Sequence, residues 1–125
     1  MKLRLRRNSI RLRLLRSEVE RFAAQGRISE EVDFGESSLR YSLVMSEEAD
    51  FIRAAFADNE ITVLVPTNTG RDWATGNETG IGTVYPSASG NELSIAIEKD
   101  FVCLDRPDDP DRGDAFPNPG SECEL

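Results

Sequence analysis

The amino-terminal segment of residues 2–15, KLRLRRNSIRLRLL, alternates leucine with arginine on both sides of the polar dipeptide Asn8-Ser9. Alternation with a period of two is typical of a β-strand that has one buried and one exposed face. If Asn8-Ser9 forms a two-residue turn, the two halves pair as a hairpin that keeps its leucines on one side and its arginines on the other. The segment therefore predicts a β-hairpin whose leucine face enters a core.

This turn fixes a register for the hairpin. The pairs it predicts are Leu5–Leu12 and Leu3–Leu14 on the core face, with Arg6–Arg11 and Arg4–Arg13 on the opposite face. Like charges directly across a strand pair repel one another, so an anionic partner is expected over the arginines. Arginine offers a planar fork of donors that binds carboxylate or phosphate in a bidentate manner. We call these four residues the arginine face; they are the candidate anion-binding site.

Two kinds of partner suit the arginine face. One is a phosphorylated ligand, such as a triphosphate or nucleotide. The other is the protein's own acidic groups, for example Glu30, Glu98 or the aspartates near the carboxyl terminus. Because the chain has 23 acidic residues, we favour its own acids.

Composition narrows the class of protein. A length of 125 residues predicts one domain with a modest core. No stretch has the length and hydrophobicity of a membrane span, which predicts a cytoplasmic protein without membrane contact. The chain has no histidine, which excludes Ser-His-Asp chemistry and histidine-ligated zinc. The net charge of −8 disfavours nucleic acid as a partner.

The rest of the chain reads as a series of hairpins with one helix. Ser17 and Glu20 form a capping-box pattern, and Gly26 suits the end of a helix, so a short amphipathic helix is predicted over residues 17–25. The further strands are predicted at 27–34, 39–45, 51–56, 61–65, 80–85 and 92–98. Residues 51–56 also fit a helix, but a turn at Asp58-Asn59 aligns the apolar residues of two strands, so we predict a hairpin there. Residues 67–79 read as a polar loop or short helical turn around Trp73.

The predicted fold is α+β and mainly antiparallel β: about eight strands in a curved meander sheet or partly closed barrel.

The carboxyl terminus differs in composition from the body. Residues 1–104 are predicted to form the single globular domain, and residues 105–125 an acidic tail rich in Asp and Pro. The tail carries one aromatic residue, Phe116, which is followed by Pro117 and Pro119. An aromatic side chain next to rigid prolines resembles an anchor for an apolar groove, in this chain or in a second copy. Cys103 and Cys123 are predicted to be reduced thiols, with a disulfide as the alternative.

Three segments recur together in a known set of proteins: the KLRLRRNSIRLRL start, EKDFVCL at residues 98–104, and DAFPNP at residues 114–119. With these segments the chain resembles a family of short bacterial proteins that form a domain of unknown function. The resemblance implies no activity, cofactor or catalytic residue. The sequence departs from the family pattern at Arg7, where a glycine would suit the turn better.

Two functions follow as hypotheses. The first is a small non-enzymatic domain that binds a partner or assembles with itself, its basic hairpin pairing with acidic groups of its own or of a second chain, for example in a homodimer. The second is a binding protein or hydrolase for a phosphate ligand, which would use the arginine face and a hard metal ion. That hypothesis rests on a loose analogy with triphosphate-tunnel proteins. The residues predict no cofactor and no catalytic set for the first function.

Overall fold

A computed structural model describes residues 1–101 of the chain. The elements are, in chain order, β1 (Lys2–Arg6), β2 (Ser9–Leu14), α1 (Arg16–Gln25), β3 (Arg27–Asp33), β4 (Ser38–Ser46), β5 (Arg53–Ala57), β6 (Glu60–Pro66), α2 (Thr67–Thr75), β7 (Gly80–Pro86) and β8 (Glu92–Lys99). The prediction of an α+β fold that is mainly antiparallel β, with about eight strands, is confirmed: the described residues contain eight strands. The boundary predicted between residues 104 and 105 lies outside the described residues and stays a prediction.

The strands form two four-stranded sheets, ordered β1-β2-β8-β7 and β3-β4-β6-β5. In each sheet two antiparallel hairpins meet at a parallel central pair, β2 with β8 and β4 with β6. Parallel neighbours require a crossover connection. After β2, helix α1 carries the chain to the second sheet, and after β6, helix α2 carries it back. The described residues therefore form two mixed sheets, with neither a continuous meander nor a closed barrel.

The two halves of the described chain repeat one order of elements. The order β1-β2-α1-β3-β4 matches β5-β6-α2-β7-β8, and each sheet takes one hairpin from the start of one half and one from the end of the other. Leu14 and Phe22 in the first half hold the places that Val65 and Trp73 hold in the second, and all four are buried. The repeat is not visible in the sequence, because these apolar residues differ in type while their burial is the same.

The register predicted for the first hairpin was wrong by two residues. The turn is Arg7-Asn8, and the observed pairs are Leu5–Ile10, Leu3–Leu12, Arg4–Arg11 and Lys2–Arg13. Ser9 belongs to β2, where it pairs with Arg6 and its hydroxyl donates to the Arg6 carbonyl at 2.6 Å. Because side chains alternate with a period of two, a shift of two residues keeps every side chain on its predicted face. Arg7 has a φ of 52°, a conformation that glycine adopts more readily.

The hairpin predicted around Asp58-Asn59 is confirmed. Phe56 pairs with Ile61, and Ala54 pairs with Val63. Asp58 and Asn59 both have positive φ angles, 53° and 61°, as a two-residue turn that matches the twist of the strands requires.

Helix α1 confirms the predicted helix, but not its cap. The helix begins at Arg16, and the backbone N–H of Leu15 donates to the Glu18 carboxylate at 2.8 Å. Glu18 therefore does what the sequence pattern assigned to Glu20. At the other end Gly26 has a φ of 73° and its N–H donates to the Phe22 carbonyl, as predicted.

Helix α2 corrects the prediction of a single helix. Its Thr, Asn and Gly residues have weak helix propensity, so the sequence predicted a loop or a short helical turn there and not a regular helix. The helix is stabilised by Trp73, whose side chain is fully buried and meets Phe22 of α1 edge to face, with ring centroids 6.2 Å apart. The two helices and the inner faces of both sheets share one core.

A glycine on β7 is required by the close approach of β8. A Cβ atom on Gly82 would lie 2.5 Å from the backbone carbonyl oxygen of Ile95, which cannot move without disturbing the strand pair. We expect Gly82→Ala to lower the free energy of unfolding by about 2 kcal/mol, within the usual cost of overpacking. Urea denaturation measures this loss. The comparison is Ala96→Gly on the neighbouring strand, which removes a methyl group without creating a clash. An unchanged urea midpoint for Gly82→Ala would contradict the prediction.

Candidate anion-binding face

The arginine face lies on the outer side of the first sheet, away from the core. Arg4 on β1 is directly opposite Arg11 on β2, and Arg13 is opposite Lys2. Arg6 is on the same side at the turn end of the hairpin, opposite Ser9. The structure therefore brings all four predicted residues together and adds Lys2, which the sequence analysis did not include.

Acidic residues of the chain already lie on this face. Glu98 of β8 is the register neighbour of Arg13, and its Oε1 atom lies 3.7 Å from the Arg13 Nε and 3.9 Å from the Arg11 Nε. The Lys2 ammonium pairs with Asp100 at 2.9 Å. Glu98 is thus the one of the acids named from the sequence that the structure, within residues 1–101, places on this face.

A small cavity of about 220 Å³ opens beside these side chains, lined by Lys2, Leu3, Arg4, Arg11 and Arg13. Pockets that enclose a whole small molecule usually have volumes of roughly 300–1,000 Å³. The cavity is therefore large enough for a single carboxylate or phosphate group, but not for an enclosed nucleotide.

A second charged cluster, not anticipated from the sequence, surrounds the α-amine of Met1. The buried amine contacts Glu18 and donates to Glu30 at 2.8 Å, and the Tyr41 hydroxyl donates to the Met1 carbonyl at 2.8 Å. Glu30, one of the acids considered for the arginine face, thus pairs with the amine instead. We call these four residues the amine cluster. The spacing of Glu18 on a helix and Glu30 on a strand gives no sequence signal that the two meet.

Two pKa values in the amine cluster are shifted. Burial by itself raises the pKa of Glu18, but hydrogen bonds from the Met1 amine and the Leu15 amide, with the charge of the amine, outweigh it and hold this pKa below its ordinary value of 4.5. Burial, and then the charges of Glu30 and Glu18, raise the pKa of Tyr41 above its ordinary value of 10.0. At neutral pH the cluster therefore holds an ionised Glu18 beside a neutral phenol, an arrangement that anchors the start of β1.

The other candidate residues named from the sequence are Phe116, Pro117, Pro119, Cys103 and Cys123, and all of them lie outside the described residues. Within residues 1–101, no three acidic or cysteine side chains come together as a metal site would need. Neither described helix is long and apolar enough to cross a bilayer.

A comparison with protein families gives a match over residues 1–120 to a family of unknown function, DUF7009. The chain belongs to this family. The resemblance expected from the sequence is thereby confirmed at the level of a domain of unknown function. No curated protein and no solved structure gives a match. Because DUF7009 carries no assigned activity, a function for this member has to be argued from its own residues.

Proposed function

We propose that this DUF7009 protein is a non-enzymatic binding or self-assembly domain, in which the arginine face receives an acidic segment of its own or of a second chain. We call residues 105–114 the acidic segment; its five aspartates are Asp105, Asp108, Asp109, Asp111 and Asp114. The observation that carries the proposal is the position of Glu98, whose carboxylate lies between the side chains of Arg11 and Arg13.

The path of the chain supports the proposal. Asp100 pairs with Lys2 of β1, and its backbone N–H donates to the Leu14 carbonyl at 2.8 Å. The chain therefore passes Lys2, the basic neighbour of Arg13 on this face, one residue before the described part of the chain ends. Charge complementarity also supports it, because residues 1–16 carry seven basic and no acidic residues, whereas residues 98–125 carry nine acidic and three basic residues.

The phosphate-ligand function remains the second candidate, and the cavity beside Arg4, Arg11 and Arg13 is the observation in its favour. Its volume suits one phosphate group, with the rest of a ligand extending over the surface. A free polyphosphate and the acidic segment would compete for the same arginines, so a test of which of them binds there distinguishes the two functions.

The test places one spin label in the acidic segment of the full-length chain. Cys103→Ser and Cys123→Ser remove the native thiols, and Gly113→Cys provides the attachment site for a nitroxide. We expect the label to attenuate the amide signals of Arg4, Arg11 and Arg13 in a ¹⁵N-labelled chain. We expect the attenuation to disappear when Asp108, Asp109, Asp111 and Asp114 are changed to Asn. Glu36→Gln with Glu47→Gln, two exposed acids of the body, is the control that should leave it unchanged.

Isotope mixing distinguishes one chain from two. In a mixture of ¹⁵N chains without a label and unlabelled chains with the nitroxide, attenuation reports contact between two copies, and its absence assigns the contact to one chain. Absence of attenuation in both samples overturns the proposal. A millimolar triphosphate that raises the melting temperature of a chain without this attenuation would favour the phosphate-ligand function, since a ligand at 100 times its Kd adds about 2.7 kcal/mol.

A further inference from the structure

The two sheets leave an apolar groove at the end of the core opposite the helices. Its volume is about 480 Å³, and the first sheet contributes Leu5, Ile10 and Leu93 while the second contributes Leu39, Phe56 and Ile61. Leu5 and Phe56 occupy equivalent positions in the two halves of the fold and are 58% and 69% exposed. We call this the tip groove, because Arg7 and Asn8 of the β1–β2 turn line it, together with Phe56 and Ile61 from the strands on either side of the β5–β6 turn. A folded protein rarely leaves adjoining large apolar side chains this exposed without a partner for them.

We propose that the tip groove binds Phe116 of the same chain, held by Pro117 and Pro119. The inference rests on the proposed function, since the acidic segment must cross the arginine face for Phe116 to reach the groove. The carboxyl-terminal segment of residues 105–125 contains one aromatic residue, Phe116. It follows the last aspartate, Asp114, by two positions. A phenylalanine buries roughly 150–250 Å² of surface, which suits a groove of this size.

The length of the chain is sufficient for this contact. Asp100 lies at the end of β8 beside Lys2, whereas Leu93 and Glu92 at its start lie beside the hairpin turn, where the Asn8 side chain donates to the Glu92 carbonyl at 2.6 Å. The eight residues of β8 separate these ends by about 25 Å. The chain from Phe101 to Phe116 extends to about 50 Å at most, so it spans the sheet with slack.

The order of residues along the two surfaces also agrees. From Asp100 the basic side chains succeed one another along the hairpin as Lys2 with Arg13, Arg4 with Arg11, and then Arg6, ending at the turn beside the tip groove. In the tail the aspartates come first and Phe116 follows. Proline fixes its own φ and disfavours the helical conformation of the residue before it, so Pro117 and Pro119 reduce the conformational freedom that Phe116 loses on binding.

The experiment uses methyl NMR on the full-length chain. An aromatic ring in the tip groove shifts nearby methyl resonances, so the δ1 methyl signals of Ile10 and Ile61 report on it. We expect Phe116→Leu to remove a ring-current shift from both signals and to leave those of Ile95 and Ile97, in the core, unchanged. Phe101→Leu is the matched control: Phe101 lines a different cavity, beside Lys99 and Asp100, and its replacement should not move the Ile10 and Ile61 signals.

Two further samples decide the remaining outcomes. A labelled Phe116→Leu chain mixed with excess unlabelled wild-type chain regains the wild-type Ile10 and Ile61 shifts only if a second copy fills the groove, which would overturn the same-chain assignment. The spin label at Gly113→Cys, placed in the Phe116→Leu background, separates the two proposals. If the arginine amides stay attenuated while Phe116→Leu leaves the isoleucine methyl signals in place, the groove inference is wrong and the proposed function stands. If the label attenuates the arginine amides neither in the Phe116→Leu background nor in the wild-type background, the proposed function itself is wrong.

Discussion

Replacing Trp73 with alanine is expected to lower the free energy of unfolding by about 4 kcal/mol, in the range found when a buried aromatic residue is removed. The side chain is fully buried, contacts Phe22 edge to face, and carries the Lys99 ammonium 5.6 Å from the centre of its ring. Its removal would leave a cavity between α1 and α2 that the two helices can close only by moving on the sheets. Since a domain of this size is stable by about 5–15 kcal/mol, the variant is expected to be close to unfolding at 37 °C.

Urea denaturation followed by circular dichroism measures the loss, and the melting temperature should fall by roughly 15 °C. Phe34→Ala is the control, because Phe34 follows β3 and is 68% exposed, and it should change stability by about 0.5 kcal/mol or less. If Trp73→Ala and Phe34→Ala had similar midpoints, Trp73 would not be the residue that fixes α2 to the core.

This dependence on Trp73 explains why the sequence predicted only a loop or short helical turn where α2 forms. The strands were predictable because each carries its own period-two signal, and turns such as Asp58-Asn59 have a composition that fixes a register. In α2, residues such as Thr67, Asn68 and Gly70 weaken the local helix signal. The helix forms because Gly70 permits close packing, with a Cβ there meeting Met45 and Phe22 at 3.2 and 3.4 Å, and because Trp73 fills the core. That stabilisation is tertiary and does not appear in a local pattern.

The candidate site, too, was predictable from the sequence where it depends on a local pattern and not where it depends on tertiary structure. Alternation along β1 and β2 was sufficient to place the four arginines on one face, and the error of two residues in the register did not alter that. The identity of the acids on that face depended on sheet order, which brings β8 beside β2 in parallel. No hairpin-by-hairpin interpretation of the sequence predicts this pairing, so Glu98 could be named only as one acid among several.

The parallel pairing of β2 with β8 also determines which residues lie beside the arginine face. The centre of the outer side of the first sheet has small side chains, Ala96 on β8 and Gly82 on β7, beside the long arginines of β1 and β2. An extended acidic segment could therefore lie along the sheet with its carboxylates toward the guanidinium groups. Exposed ion pairs contribute only about 0.2–1 kcal/mol each, so such a contact would weaken with added salt. The apolar contact proposed for Phe116 would be insensitive to salt, which is why charge and apolar burial are tested by separate substitutions.

The amine cluster gives the other large effect. Glu18→Gln is expected to lower the free energy of unfolding by about 3 kcal/mol at pH 7, because it leaves the buried Met1 amine with the half-exposed Glu30 as its remaining carboxylate. Glutamine keeps the size of the side chain and an oxygen that accepts from the Leu15 N–H, so the loss reports mainly on charge. Glu20→Gln, the same change at an exposed position of α1, is expected to cost about 0.5 kcal/mol or less.

The pH dependence of this effect follows from the direction of the Glu18 pKa. In the folded chain this pKa lies below its ordinary value of 4.5, which the unfolded chain retains, so the unfolded chain takes up a proton first as the pH falls. The contribution of Glu18 is therefore complete above about pH 5 and is lost as the pH falls through the folded pKa. Stability measured by urea denaturation from pH 7 to pH 3 should show the wild-type chain and Glu18→Gln converging at the acidic end, while Glu20→Gln stays parallel to the wild type. A constant difference between wild type and Glu18→Gln across this range would mean that the carboxylate charge does not stabilise the buried amine.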